Sequence, residues 1–403
     1  MPNTQLQNRV VRTLASAQVL NGVGVAGTVA AGSLLVSSIT DSETLAGLAQ
    51  TSAVLGAAAL ALPLARLTAQ GGRRLALSVG YSSGVVGSIF AIIGGAHRNL
   101  FFMLLGTFLV GAASAAGYQA RFAAIDLATK ETRAKQLSFV VWGSTIGAVA
   151  GPNLMDPSGN LAELFNLPRL VGPYLVSAAT LFFAMLVIQI FLRPDPYLTA
   201  EKQANVVQHK GSTKAALSHI RSNPKALFAI SAIAIGHVAM VSVMVMTPIH
   251  MKHVDVSLRI IGFVISVHVL GMYAFSPIVG SLSDRLGRVR VIQIGFVILL
   301  ASAVVAGSAA ADNAVQLGIG LFLLGLGWSC TLIAGSAFLS ESVSLEMRPA
   351  SQGASDLVMN LSGAGGGAIA GVIIGTLSYG WLCLFAAIPV VVLAIMSRKM
   401  EKE

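Results

Sequence analysis

Charge is scarce in this chain. Of 403 residues only 10% are Asp, Glu, Lys or Arg, while 55% are hydrophobic, against roughly a quarter charged in soluble globular proteins. That shortage argues against a soluble enzyme. Cysteine is scarcer: Cys330 and Cys383 both stand in apolar runs and form neither a disulfide framework nor a zinc-type spacing. Carboxylates are missing from the middle of every apolar run, and no nucleophile/base arrangement takes their place, so catalysis within the apolar segments is not expected. The net charge of +10 does not point to nucleic acid, because the Lys and Arg residues sit in short breaks between apolar runs. The first apolar run, from Val10, continues for about 28 residues, too long for a cleaved signal peptide.

What the chain has in quantity is apolar runs long enough to cross ~30 Å of hydrocarbon at ~1.5 Å per residue. Twelve are expected, at 10–37, 43–66, 74–96, 99–126, 134–155, 170–192, 226–250, 257–282, 289–311, 315–339, 350–376 and 378–397. The fold class read from them is an all-α membrane protein with twelve transmembrane helices in two pseudo-symmetric six-helix halves. The long polar stretch 193–225 divides the spans six and six, so the expected organisation is an N-terminal half over 1–192, a cytoplasmic linker over 193–225 and a C-terminal half over 226–403. GAVAG at 147–151 and GAIAG at 367–371, 220 residues apart, support an internal repeat. One side of the membrane receives 22 Lys and Arg and the other only Arg98, Arg169, Lys252 and Arg259. By the positive-inside bias both termini are cytoplasmic, in the cytoplasmic membrane. Two six-helix halves around a midplane site are the architecture of alternating-access transporters.

Between the eighth and ninth spans stands GSLSDRLGRVR, Gly280 to Arg290. Gly287 can take a positive φ, Asp284 can face a helix N-terminus, and the arginines can reach carboxylates on neighbouring helices. The spacing G-x-L-S-D-R-x-G-R-x-R resembles the loop signature of the major facilitator superfamily. The equivalent loop of the first half, LARLTAQGGRR (64–74), keeps an Arg pair, lacks the Asp and reads as longer. Glu341, Glu346 and Arg348 follow the tenth span, and Arg121 and Asp126 end the fourth. These are expected to pair with the loop arginines in a cytoplasmic gate built from Gly280, Asp284, Arg285, Gly287, Arg288, Glu341 and Arg348. Gly143, Gly147, Gly151 and Pro152 in the fifth span resemble part of a drug/proton antiporter motif, with close small-residue helix packing the preferred reading.

Five of the 13 methionines fall in residues 240–272, with four of the seven histidines in nearly the same stretch. Met240 and Met244 are i,i+4 on the seventh span, as are His268 and Met272 on the eighth, so each pair shares a helix face and the two pairs are expected to face each other. A histidine in a membrane span is costly, which marks His237 and His268 as pathway residues. Thioethers with imidazole and no carboxylate suit Cu(I) over Mg²⁺, Ca²⁺ or Mn²⁺. His250, Met251 and His253 in PIHMKHVD (248–255) form a candidate outer approach, or simply a polar external loop. Paired MxxxM and HxxxM motifs on these spans resemble the CcoA-like copper importers. That resemblance implies Met240, Met244, His268 and Met272 as copper-binding residues, with copper as cargo and no resident cofactor.

The same family includes an RfnT-like branch described as riboflavin transporters, so the motif leaves the substrate open. Riboflavin requires an aromatic face and amide or hydroxyl groups, for which Gln18, Asn21, Trp142, Tyr273, Trp328 and Asn360 are the candidates, with Tyr118 beside them. Drug export is a third reading, resting on the glycine run with Gln119 and Arg121. The expectation is therefore a non-enzymatic importer working by alternating access, with copper first and riboflavin second. Its partners are the lipid bilayer and one small solute or metal ion, not nucleic acid, and it is expected to act as a monomer.

Overall fold

The computed structural model describes residues 4–42, 45–204, 218, 220–252 and 254–400, and these are almost wholly helical. The helices, numbered here in chain order, are α1 (Thr4–Thr40), α2 (Leu48–Ala96), α3 (Leu100–Ala123), α4 (Arg133–Asn153), α5 (Met155–Leu164), α6 (Gly172–Phe191) and α7 (Pro196–Gln203). After the linker come α8 (Pro224–Lys252), α9 (Leu258–Tyr273), α10 (Ser276–Leu286), α11 (Arg288–Gly307), α12 (Ala314–Ser342), α13 (Arg348–Thr376) and α14 (Tyr379–Met400). Side-chain caps start several of them. Asn99 accepts from the Phe102 amide, Asn313 from that of Gln316 and Asn223 from those of Lys225 and Ala226, satisfying N–H groups that an open helix end leaves bare.

Among the described residues, ten helical segments are long and apolar enough to cross a membrane, and the pair α4/α5, bent by 62°, adds an eleventh. The twelfth lies inside α2. Its 49 residues would reach about 73 Å, more than twice the thickness of a bilayer core, and Gly72 breaks it with φ 84° and ψ 177°. A non-glycine residue would be strained there, so the second and third spans are one continuous helix by pattern and two by geometry.

The chain forms two compact units. The first comprises Met1–Ala128, Phe139–Leu217 and Leu345–Leu357. Here α1 lies along α6, and both parts of α2 lie along α3. The α4 helix comes so close to α1 that a methyl group on Gly22 would stand 3.0 Å from the Gly147 Cα, and one on Gly151 would meet Ala26 and Gly27. The glycine run 143–151 is thus used for close helix packing, in the manner of small-residue interfaces in membranes.

The second unit comprises Thr129–Ser138, Ser218–Ser344 and Val358–Glu403. Its centre is α12, whose apolar window is 78% buried, with α8, α9 and α11 packed around it. Although α8 and α9 are neighbours in sequence, they meet only sparingly. Each turns its inner face to α12.

Candidate functional site

In the second unit, α12 gathers residues from both of its neighbours. The Trp328 indole Nε1–H donates to His237 Nδ1 on α8 at 3.1 Å. The Tyr273 ring, at the end of α9, packs edge-on against Trp328 with centroids 5.7 Å apart and planes at 87°. Since His237 Nδ1 accepts, the neutral ring carries its proton on Nε2. That edge lies over Gly363 of α13, where a Cβ would stand 2.6 Å from His237 Cδ2 and 2.8 Å from Nε2. Asn360 precedes Gly363 by one helical turn and is buried. Tyr273 remains half-buried, whereas Trp328 is enclosed. The indole thus acts as a support that fixes one polar and one aromatic neighbour.

His268 has the opposite proton arrangement. Its Nδ1 lies 2.8 Å from the Leu321 carbonyl, which only accepts, so Nδ1 bears the proton and Nε2 offers a lone pair. Nε2 is buried and has no hydrogen-bond partner among the described residues. Met272 follows one turn later, and its backbone packs against Gly325 of α12. Met240 is buried and Met244 half-buried on α8. Because α8 and α9 pack on α12 more than on each other, the MxxxM and HxxxM pairs occupy two helix faces joined through α12, without an extended α8–α9 contact.

The outer candidates are engaged in packing. His250 stacks on Tyr379 at 4.3 Å between centroids, Thr247 and Tyr379 share a hydroxyl hydrogen bond of 2.8 Å, and Met251 is fully buried. His253 lies outside the described residues.

In the first unit, Gln18 and Asn21 share a face of α1. Gln18 Nε2 donates to Ser144 Oγ of α4 at 2.9 Å, while Gln18 Oε1 and Asn21 Oδ1 are buried without partners among the described residues. Trp142, on the same α4 helix, is 40% exposed and stands apart from this pair.

The loop residues form two related turns. In the second unit Gly287, at φ 97°, leads into Arg288, whose guanidinium bonds Asp284 and lies 2.9 Å from Glu341. Asp284 accepts from the amides of Ala134 and Lys135 at 3.0 and 2.9 Å, at the start of α4. Arg133 adds a contact to Glu341 at 3.5 Å, and Gly280 packs against Ala134 and Ser138. Arg285 is exposed.

The first unit repeats the turn 215 residues earlier: Gly72 with φ 84°, then Arg73 bound to Asp126 at 2.8 Å. Position 69, equivalent to Asp284, is alanine. Gln352 accepts from Arg73 at 2.7 Å, and Asp195 accepts from the Arg74 amide at 2.7 Å. Arg348 falls within this unit. Arg121 bonds Asp356 at 2.6 Å, both almost fully buried, with the guanidinium 4.6 Å above the Phe122 ring. Sequence reasoning placed Asp126 with a loop arginine and left Gln352 and Asp195 unread. Subtracting 215 from the second turn would have found Arg73 and Asp126, but nothing in the local sequence marks the other two.

Membrane-length helices that carry buried polar groups are the make-up of a multi-pass membrane transporter. The Major Facilitator Superfamily pattern matches residues 14–258 and 238–401, and the chain belongs to that family. It is 35% identical over 395 residues to an uncharacterised MFS-type transporter of Bacillus subtilis (strain 168), YdeG, covering 96% of this chain and 92% of that one. It is 27% identical over 305 residues to the riboflavin transporter RfnT of Brucella anthropi, covering 76% and 74%. The E. coli fucose:proton symporter FucP (N162A) shares the fold, with a TM-score of 0.76 at 16% identity, over 96% of this chain and 97% of that one.

Proposed function

We propose that this transporter takes up a flat, neutral heteroaromatic solute of the riboflavin type across the cytoplasmic membrane, with both termini inside the cell. The observation that carries the reading is the support built on Trp328, which holds the half-buried Tyr273 ring edge-on and fixes the His237 imidazole through its Nδ1. A tricyclic ring presents a large apolar face and a polar rim, so it calls for an aromatic wall with a few fixed hydrogen-bonding groups. The relative named as a riboflavin transporter supports the same substrate class. The Arg288 turn, with Asp284 and Glu341, serves in this reading as the gate on the second unit, and the Arg73 turn as its counterpart on the first.

The test is uptake of radiolabelled riboflavin by cells lacking their own importer. The wild-type chain should restore accumulation, and Trp328→Leu should cut the rate to about a tenth or less, the scale of losing an aromatic contact and an oriented donor together. Absence of riboflavin uptake by the wild-type chain would overturn the reading.

Copper uptake is the second reading, favoured by His268. A ring held through Nδ1–H by a backbone carbonyl, with a bare Nε2, is the arrangement that orients metal-ligating histidines, and Met240, Met244 and Met272 supply soft donors on the faces beside α12. Radiolabelled Cu(I) run in parallel decides between the two. Copper accumulation abolished by His268→Leu, with no riboflavin uptake, would establish the second reading in place of the first.

A further inference from the structure

Asn21 lies near the middle of α1 in a span that, on the topology above, crosses the whole membrane. It is 5% exposed, its Oδ1 is buried, and the amide makes no hydrogen bond among the described residues. One turn earlier Gln18 is clamped by its Nε2–H to Ser144 Oγ, so its Oε1 is turned away from that bond and is likewise buried and bare. The floor beneath both amides is Gly117 of α3. A methyl group there would collide with Asn21 Nδ2 and stand 3.2 Å from Gln18 Oε1.

Helical backbone satisfies itself, and lipid offers neither donors nor acceptors, so an unanswered side-chain amide at this depth calls for a ligand or water to complete it. The chemistry of the group narrows the ligand. A carboxylate or phosphate offers only acceptors, so it could answer the Asn21 Nδ2 but would leave the bare carbonyl oxygens unpaired. A primary amide presents one acceptor and one donor side by side, and its complement is a group with an N–H next to a C=O. The same two-point logic lets Asn read the edge of adenine.

Resting on the heteroaromatic reading above, we infer that Asn21 is the specificity-determining residue that recognises a cyclic imide edge, Oδ1 accepting the ring N–H and Nδ2 donating to the adjacent ring carbonyl. Gln18 and Gly117 are positioning residues: one directs a second acceptor to the same place, and the other leaves room for the amide. The isoalloxazine ring of riboflavin has such an edge at N3–H. Its ribityl chain has only hydroxyls, which need no paired donor and acceptor.

The experiment compares riboflavin with N3-methylriboflavin by quenching of flavin fluorescence on the full-length protein in detergent. The wild-type chain should bind riboflavin at least about tenfold more tightly, as expected of a buried site left with an unpaired partner. Asn21→Leu should lose most of that difference. Gly117→Ala, which displaces the amide while leaving it present, should reduce it. Equal binding of the two flavins by wild type, or full discrimination by a folded Asn21→Leu variant, would overturn the imide assignment and leave the riboflavin reading standing. If wild type binds neither flavin, both are overturned. The comparison on wild type alone decides the matter should a variant fail to fold.

Discussion

Two histidines in the second unit are held in opposite tautomers by neighbours on one helix, Trp328 donating to His237 and Leu321 accepting from His268. Their separate roles make separable predictions. Gly363→Ala would place a methyl 2.6 Å from the His237 ring, tilting it away from Trp328. Riboflavin uptake should fall severalfold with expression unchanged, as initial rates in whole cells would report. His268→Gln should leave riboflavin uptake within about twofold of wild type, since on the first reading its bare nitrogen takes no part in the flavin site. These single residues were only partly legible in the sequence. A buried histidine in a span announces itself by its cost, but whether its neighbour donates or accepts depends on which residue of α12 lies opposite, and that is set by packing.

At the scale of helices and turns, the sequence showed Gly287 and Arg288 in their motif and 64–74 as the equivalent loop, but not that Gly72 and Arg73 keep the same turn where Ala69 stands in place of the acid. The conserved geometry is the positive-φ glycine followed by an arginine reaching back to an acid at the end of a span. The GAVAG and GAIAG segments mislead by five residues: contacts pair Ser138 with Gly280 and Gly353 with Ala65, a register of 215, whereas the pentapeptides lie 220 apart. In both α8 and α9 the helical spacing of Met and His was readable, but adjacency in sequence implied a facing pair, and α12 lies between them in packing terms.

Removing one member of a buried ion pair exposes the cost of the other. Asp126→Ala should destabilise the protein by about 3–5 kcal/mol, because it strands the Arg73 guanidinium. Arg73→Met with Asp126→Leu should recover much of that loss, read as melting temperature in detergent.

For the molecule as a whole, hydrophobic run length carried nearly all of the fold. Each expected span overlaps a helix, and the departures are the unbroken-looking α2 and the bent α4/α5 pair. The topology makes its own prediction. With Cys330 and Cys383 replaced by alanine, a single exposed cysteine introduced as Lys399→Cys should react with a membrane-impermeant maleimide only after the cells are permeabilised. Labelling of intact cells would reverse the orientation.

The first unit is assembled from three stretches of chain, the last being Leu345–Leu357. Gln352 and Asp356, which answer Arg73 and Arg121, arrive with it. A gene divided in the 205–217 stretch would therefore encode a first polypeptide that must be born with two interior cations lacking these partners. Made alone it should be a substrate for membrane quality control; made together with the second polypeptide it should survive. Any ancestral duplication that produced this chain had to yield not two self-sufficient modules but two that were obliged, from the moment of fusion, to lend each other a piece.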